Sequence, residues 1–202
     1  MSDHKGLPIV GFATRADWEG WLDEHGTSSP GLWVKLAKKD AGRPGIGRAD
    51  AVEGALAHGW IDGQSDRVDD AYWLTRFTPR RAGSRWSQVN CAIVERLMAE
   101  GRMTVAGLGE VERAKEDGRW GAAYAPPSRA EAPDDLRAAL DAEPAAAAFF
   151  ATLKGANRYA VIYRVNDTRT AKTRAARIAK FVAMLAKGET IYGQKARSPR
   201  AS

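Results

Sequence analysis

One cysteine, Cys91, stands in a chain of 202 residues, which excludes an intrachain disulfide and a cysteine-built zinc centre. Cys91 falls inside a predicted helix, where a buried structural thiol competes with the reading of a reactive nucleophile. The three histidines, His4, His25 and His58, lack metal-ligand spacing, so no metal and no cofactor is expected. No run approaches the roughly 20 apolar residues that a membrane span requires. The stretch MSDHKGLPIVGFATRAD has neither the apolar centre nor the cleavage site of a secretory signal, and a cytoplasmic location is expected. There is no GxSxG elbow, and KKDAGRPGIG lacks the Gly-Lys-Ser/Thr ending of a phosphate loop. These absences remove several enzyme classes and leave no reaction assigned.

Tryptophan is what the chain has in excess. There are seven, and Trp18, Trp21, Trp33, Trp60, Trp73 and Trp86 all fall in the first 86 residues. Each brings a large apolar area and one N–H that needs a partner. Either this region has an unusually aromatic core, or some rings line a binding surface.

Charge is unevenly spread. Positions 154–202 hold 12 Lys and Arg against two acids, whereas the first 153 residues carry a net charge of −4. A basic C-terminal quarter suits an anionic partner or docking on the chain's own acidic body.

Hydrophobic periodicity gives an α+β fold. Thr14 and Asp17 form a capping box for a helix with Trp18, Trp21, Leu22 and His25 at helical spacing and Gly26 at its end. Leu32 to Ala37 alternates as a strand. Asp50 and Glu53 make a second capping box, ahead of Val52, Leu56 and Trp60, with Gly59 as a left-handed exit. Ile61 to Val68 and Tyr72 to Phe77 read as a hairpin turning at Asp69-Asp70. Ser84 is the expected cap of a helix over 85–100, with Trp86, Val89, Ile93, Val94, Leu97 and Met98 as its apolar stripe. A short helix over 108–117 follows. APPSRAEAP marks a boundary, beyond which come helices over 134–142, 144–153 and 170–187. Tyr159, Ile162 and Tyr163 have helical spacing, so YAVIY is expected to be helical, though it also reads as strand. The expected organisation is an α/β portion over 1–125 with a small, mainly antiparallel sheet, a basic helical portion over 130–190, and a basic tail over 191–202 that includes Lys195, Arg197 and Arg200.

The stretch GWIDGQSDRVDDAYWLTRFTPRRAGSRWSQVN interleaves aromatic, acidic, basic and amide side chains. Its candidate ligand-binding residues are Trp60, Asp62, Gln64, Asp66, Arg80, Ser84, Trp86 and Asn90. Aromatic walls with a few aimed polar groups describe a small-molecule pocket. The same residues also describe a structural knot of core tryptophans and Asp–Arg pairs. Asp62 and Asp66 have the chemistry of a general acid and base if their environments differ. An alternative polyanion surface is Lys172, Arg174, Arg177 and Lys180, with Tyr159 and Tyr163 available to stack on bases. No nucleic-acid-binding signature accompanies that charge.

Several blocks together resemble the YdeI/OmpD-associated family, often labelled bacteriocin-protection proteins. They are Ala51-Val52, Ala55-Leu56 and Gly59-Trp60-Ile61-Asp62-Gly63, then Phe77-Thr78-Pro79-Arg80-Arg81 and Ser84-Arg85-Trp86-Ser87 with Asn90. Gly101-Arg102-Met103, Gly107 and Asp117-Gly118-Arg119-Trp120 follow, then Thr173-Arg174, Arg177-Ile178, Met184-Leu185 and Gly188. The paired Trp18 and Trp21-Leu22 and the strand from Trp33 to Lys39 also match. Thr168-Arg169 and Lys172 depart from the family's Ala-Lys pair and acidic residue. The resemblance implies a cytoplasmic bacterial protein linked to tolerance of antimicrobial agents or stress, and no established reaction. The expected function is sequestration of a small-molecule or peptide antimicrobial ligand in an aromatic, Arg/Asp-lined cleft. Nucleic-acid binding through the basic C-terminal helix and a hydrolase-like activity at Asp62 and Asp66 are the alternatives.

Overall fold

The computed structural model describes residues 3–39, 42–168 and 170–193, and it is α+β with a five-stranded mixed sheet and eight helices among them. The chain divides into two compact units, Met1–Ala123 and Tyr124–Ser202.

In the first unit, Thr14 caps α1 (Arg15–His25) through the complete capping box with Asp17. The box satisfies two backbone donors that the first helical turn leaves open. Strand β3 (Leu32–Ala37) sits at the centre of the order β1-β2-β3-β5-β4. Two strands were not expected from the sequence: β1 (Asp3–His4) and β2 (Leu7–Gly11). They join through Lys5 and Gly6, both at positive φ, the geometry of a tight primed hairpin turn. Only β2 and β3 run parallel; the other pairs are antiparallel.

The hairpin strands β4 (Trp60–Arg67) and β5 (Tyr72–Pro79) close the sheet. Cross-strand register decides which side chains share a face. Leu32 and Val34 pair with Phe77 and Thr75, and Trp60 and Asp62 pair with Pro79 and Phe77. This face meets α1 and α2 (Arg48–Ala57) around Trp18, Leu22, Ala51, Ala55, Trp60 and Phe77. Gly54 permits the contact, because a Cβ there would stand 2.8 Å from the Trp18 ring. Gly59, at φ +76°, turns the chain from α2 into β4.

Helix α3 is Gln88–Ala99, capped by Ser87, and α4 is Val105–Glu116, capped by Thr104. Val94, Leu97, Val111 and Ala114 pack with Leu56 and Trp86 in a second cluster. Two expectations change here. Ser84 is not the helix cap; its Oγ accepts from the Arg81 N–H at 2.9 Å and closes a turn instead. Val89 and Met98, placed on the apolar stripe by spacing, are 45% and 40% exposed.

The second unit holds α5 (Asp134–Asp141), α6 (Pro144–Thr152), α7 (Gly155–Asn166) and α8 (Ala171–Ala186). The ambiguous YAVIY is helical and buries Ala160, Val161 and Ile162. Val161 and Ile162 pack with Leu136, Phe150, Phe181 and Leu185. The expected tail residues Lys195, Arg197 and Arg200 lie outside the described residues.

Candidate functional site

The tryptophans are core wherever the candidate cleft needed them at a surface. Trp60 and Trp86 are each 1% exposed. Trp60 donates its indole N–H to the Gly26 carbonyl at 3.0 Å and meets Trp18 and Trp21 edge-on. Trp86 lies against Trp120, with ring centroids 4.8 Å apart. Arg80 is buried, with its guanidinium carbon 3.5 Å from the Trp86 ring centroid and one N–H donated to the Arg85 carbonyl. A desolvated guanidinium on an aromatic face contributes about 2 kcal/mol. Trp60, Arg80, Ser84 and Trp86 therefore build the frame, and the aromatic-walled cleft is corrected on that point.

The two aspartates do not form a dyad. Asp62 pairs opposite Phe77 and Asp66 opposite Leu74, with a bulge between Asp62 and Ser65. Positions 74 and 77 differ by an odd number, so the two carboxylates leave opposite faces of the sheet. A shared acid–base site at Asp62 and Asp66 is ruled out by this geometry. Asp66 Oδ2 receives His4 Nε2 and Lys5 Nζ, each at 2.7 Å. The Lys5 and His4 hydrogen bonds hold its carboxyl below the usual range. Gln64 is exposed beside the bulge.

Asp62 and Asn90 do come together. Both line an open cavity of about 410 Å³ between α2, β4 and α3, with Arg48, Val52, Val89 and Ile93. Its size falls within the ordinary range for small-ligand pockets. Arg48 pairs with Asp62 at the mouth, where the arginine side chain is 61% exposed and the carboxylate 17%. Asn90 gives its backbone N–H to the Ser87 Oγ. Its side-chain amide bonds no protein group among the described residues, so it keeps two donors and one acceptor for a ligand.

Glu53 forms one wall of this cavity, and sequence reasoning misassigned it. Helix α2 begins at Arg48 with Gly47 as an uncapped N-terminus, so Glu53 lies in the middle of the helix and caps nothing. Its carboxylate instead accepts from Arg15 at 2.9 Å, from Arg102 at 3.2 Å and from Arg96. Arg15 also reaches Glu19, and Arg96 and Arg102 both reach Glu100. The Glu19 and Glu53 contacts hold the Arg15 guanidinium firmly charged, against the opposing effect of burial. Arg48 carried no local signal and Glu53 a misleading one, because their partners lie far away in sequence.

The remaining titratable groups have structural surroundings. His25 stacks on Trp21, and His58 bonds the Gly54 carbonyl and Asp23. Burial pushes the Cys91 thiol up to about 11, which leaves it protonated and unreactive at neutral pH. Among the described residues no group of three or more His, Cys, Asp or Glu is placed to hold a metal. No helix among them is long and apolar enough to cross a membrane.

The alternative surface on α8 is partly occupied. Arg174 donates Nη2 to Asp135 Oδ1 at 2.9 Å and Nη1 to the Val165 carbonyl at 3.0 Å. Arg177 donates to the Arg164 carbonyl at 2.8 Å. Lys172 and Lys180 are exposed, and so is the flanking Ala179. Tyr159 and Tyr163 contact each other within the second unit, at 5.7 Å between ring centroids.

Comparison with known families divides the chain in two. Residues 10–110 match a model described as a domain of unknown function (DUF8412). Residues 129–188 match a model described as "Bacteriocin-protection, YdeI or OmpD-Associated". No curated protein and no solved structure matches the chain.

Proposed function

We propose, for a chain that belongs to DUF8412 through half its length and to the bacteriocin-protection, YdeI or OmpD-associated family through residues 129–188, that it protects by binding an antimicrobial ligand in the cytoplasm without converting it. The site is the groove between α2, β4 and α3. The observation that carries this reading is the combination found there. Val89, an apolar side chain that is 45% exposed, stands beside the Asn90 amide and the Arg48–Asp62 pair, in a cavity of about 410 Å³. Solvent-exposed apolar surface next to free hydrogen-bonding groups is the composition of a binding site rather than a core. The ligand this suits has an apolar body and a polar or charged end.

Isothermal titration against a panel of purified bacteriocins and small antibiotics tests the reading. One member should bind saturably. Val89→Glu and Asn90→Ala should each weaken that binding tenfold or more while the thermal midpoint stays within about 2 °C, since surface changes cost at most ~0.5 kcal/mol. Affinity unchanged in both variants would place the ligand elsewhere, and a chemically altered ligand recovered after incubation would make the protein an enzyme. The polyanion alternative has less support, because Arg174 and Arg177 already serve contacts inside the second unit.

A further inference from the structure

The second unit holds a cavity of about 330 Å³ where α5, the second half of α6 and the start of α7 meet. That size is at the lower end of the range for small-ligand sites. Its floor is apolar, with Leu140 and Phe150 only 4% and 6% exposed and Ala132 buried beside them. Charged side chains stand around this floor. Arg137 and Asp141 are one helical turn apart on α5 and so share a face. Glu131 comes from the segment before α5, and Arg158 from the start of α7.

Arg158 enters the cavity half-buried, with its guanidinium carbon 4.6 Å from the centroid of the Phe150 ring. The ring face attracts the cation but leaves the N–H donors of the guanidinium fork for other acceptors. Among the described residues Arg158 makes no hydrogen bond and no ion pair. Glu131 and Asp141, both exposed on the same cavity, are likewise unpaired among the described residues. Arg137 is spent on Asp134. The structure thus keeps a free cation and free carboxylates apart over an apolar floor. Two arginines and two acids line the cavity, so their charges balance, and neither a bare anion nor a bare cation complements them.

We propose that this cavity binds a small zwitterion, an ammonium and a carboxylate on one apolar body, as in a free apolar amino acid. The ligand carboxylate lies on Arg158, whose planar fork matches it in bidentate fashion. The ammonium faces Glu131 and Asp141, and the apolar body covers Leu140 and Phe150. A guanidinium already held on a ring loses little freedom on binding, which favours the ligand. The cavity shares no residue with the groove between α2, β4 and α3, so the two sites can be tested separately.

Isothermal titration of the full chain with L-leucine and its two one-ended analogues, 3-methylbutylamine and 4-methylpentanoate, is the test. L-Leucine should bind saturably, and about tenfold or more tighter than either analogue, since each lacks one charge-assisted contact. Arg158→Gln should bring L-leucine down to the affinity of the amine and leave the amine's own affinity unchanged. Glu131→Gln combined with Asp141→Asn, both at exposed positions, should bring it down to the affinity of 4-methylpentanoate. An unchanged circular dichroism spectrum in each variant separates loss of binding from loss of fold. No saturable L-leucine binding overturns the proposal. So does L-leucine that binds no tighter than its analogues, or an Arg158→Gln variant that weakens the amine as much as the amino acid.

Discussion

The two units solve the same packing problem with opposite materials. The first fills its interior with tryptophan: Trp18, Trp33, Trp60 and Trp86 are all fully buried. The second has no tryptophan and packs Leu136, Phe150, Val161, Phe181 and Leu185 among alanines. A buried tryptophan N–H gains from a partner, so the core is directional at Trp18 and Trp60, whereas the indole N–H groups of Trp33 and Trp86 meet no acceptor among the described residues. Trp18 donates to the Ala51 carbonyl at 3.0 Å and Trp60 to the Gly26 carbonyl at 3.0 Å, tying α1, α2 and β4 at defined points. A core of hydrocarbon side chains has no such ties and depends on shape alone. Each unit still leaves a cavity where charged side chains meet apolar ones, the first beside Asn90 and the second beside Phe150.

The sharpest way to break this comparison is to truncate one core residue in each unit. Trp18→Ala removes both a large apolar volume and a buried hydrogen bond, and should cost about 3–5 kcal/mol. Leu185→Ala removes volume only and should cost about 2–4 kcal/mol. Urea unfolding followed by far-ultraviolet circular dichroism checks both. Trp18→Phe discriminates further, since it keeps most of the area and leaves the Ala51 carbonyl without that donor. A Trp18→Phe variant as stable as the wild type would show that the indole hydrogen bond contributes nothing.

Next in size is the charged frame of the first unit. Glu53→Gln leaves Arg15, Arg96 and Arg102 facing a neutral amide. Hydrogen bonds to charged groups contribute about 1.5–3 kcal/mol, reduced here because the Arg96 side chain is 44% exposed. A loss of about 1–2 kcal/mol is expected, measured as a fall in the urea midpoint at unchanged slope. In the second unit the Arg174–Asp135 and Arg137–Asp134 pairs each join two side chains, so Asp135→Asn and Asp134→Asn should each cost less. A Glu53→Gln loss below 0.5 kcal/mol would reduce the cluster to ordinary surface pairs.

What could be read from the sequence follows from how local each interaction is. The Thr14–Asp17 capping box was legible because both partners lie within four residues. The β4–β5 hairpin was legible from its two strand patterns and the turn between them. Asp50 and Glu53 copy the same capping pattern, yet Glu53 is taken by arginines 38, 43 and 49 residues away, and local spacing carries no trace of them. Strands β1 and β2 were missed because two and five residues show too little alternation to register. For the candidate site, Asp62 and Asn90 were found because polar groups on apolar stretches stand out. Trp60 and Trp86 were read as ambiguous because composition cannot separate a core ring from an exposed one. Arg48 and Val52 became site residues only when α2 was placed beside α3.

The smallest expected effects come from one depressed carboxylate in each unit. Asp135 is lowered chiefly by the Arg174 hydrogen bond, and Asp66 by those from Lys5 and His4. The sign is the same for both. A group whose folded value lies below its unfolded one adds stability above the ordinary carboxylate range near 3.9. That stability is lost as pH falls through the folded value. Asp135→Asn and Asp66→Asn should therefore lower stability slightly at pH 7, with the difference from wild type shrinking below about pH 4. Both sites are open to solvent, so salt should shrink each effect. The two sites differ in their donors: Asp66 receives side-chain hydrogen bonds from two residues, Lys5 and His4, and Asp135 from Arg174 alone. Thermal midpoints of the two variants measured from pH 3 to pH 8 check both, and a variant that matches wild type across that range would mean that its carboxylate adds nothing to the unit that carries it.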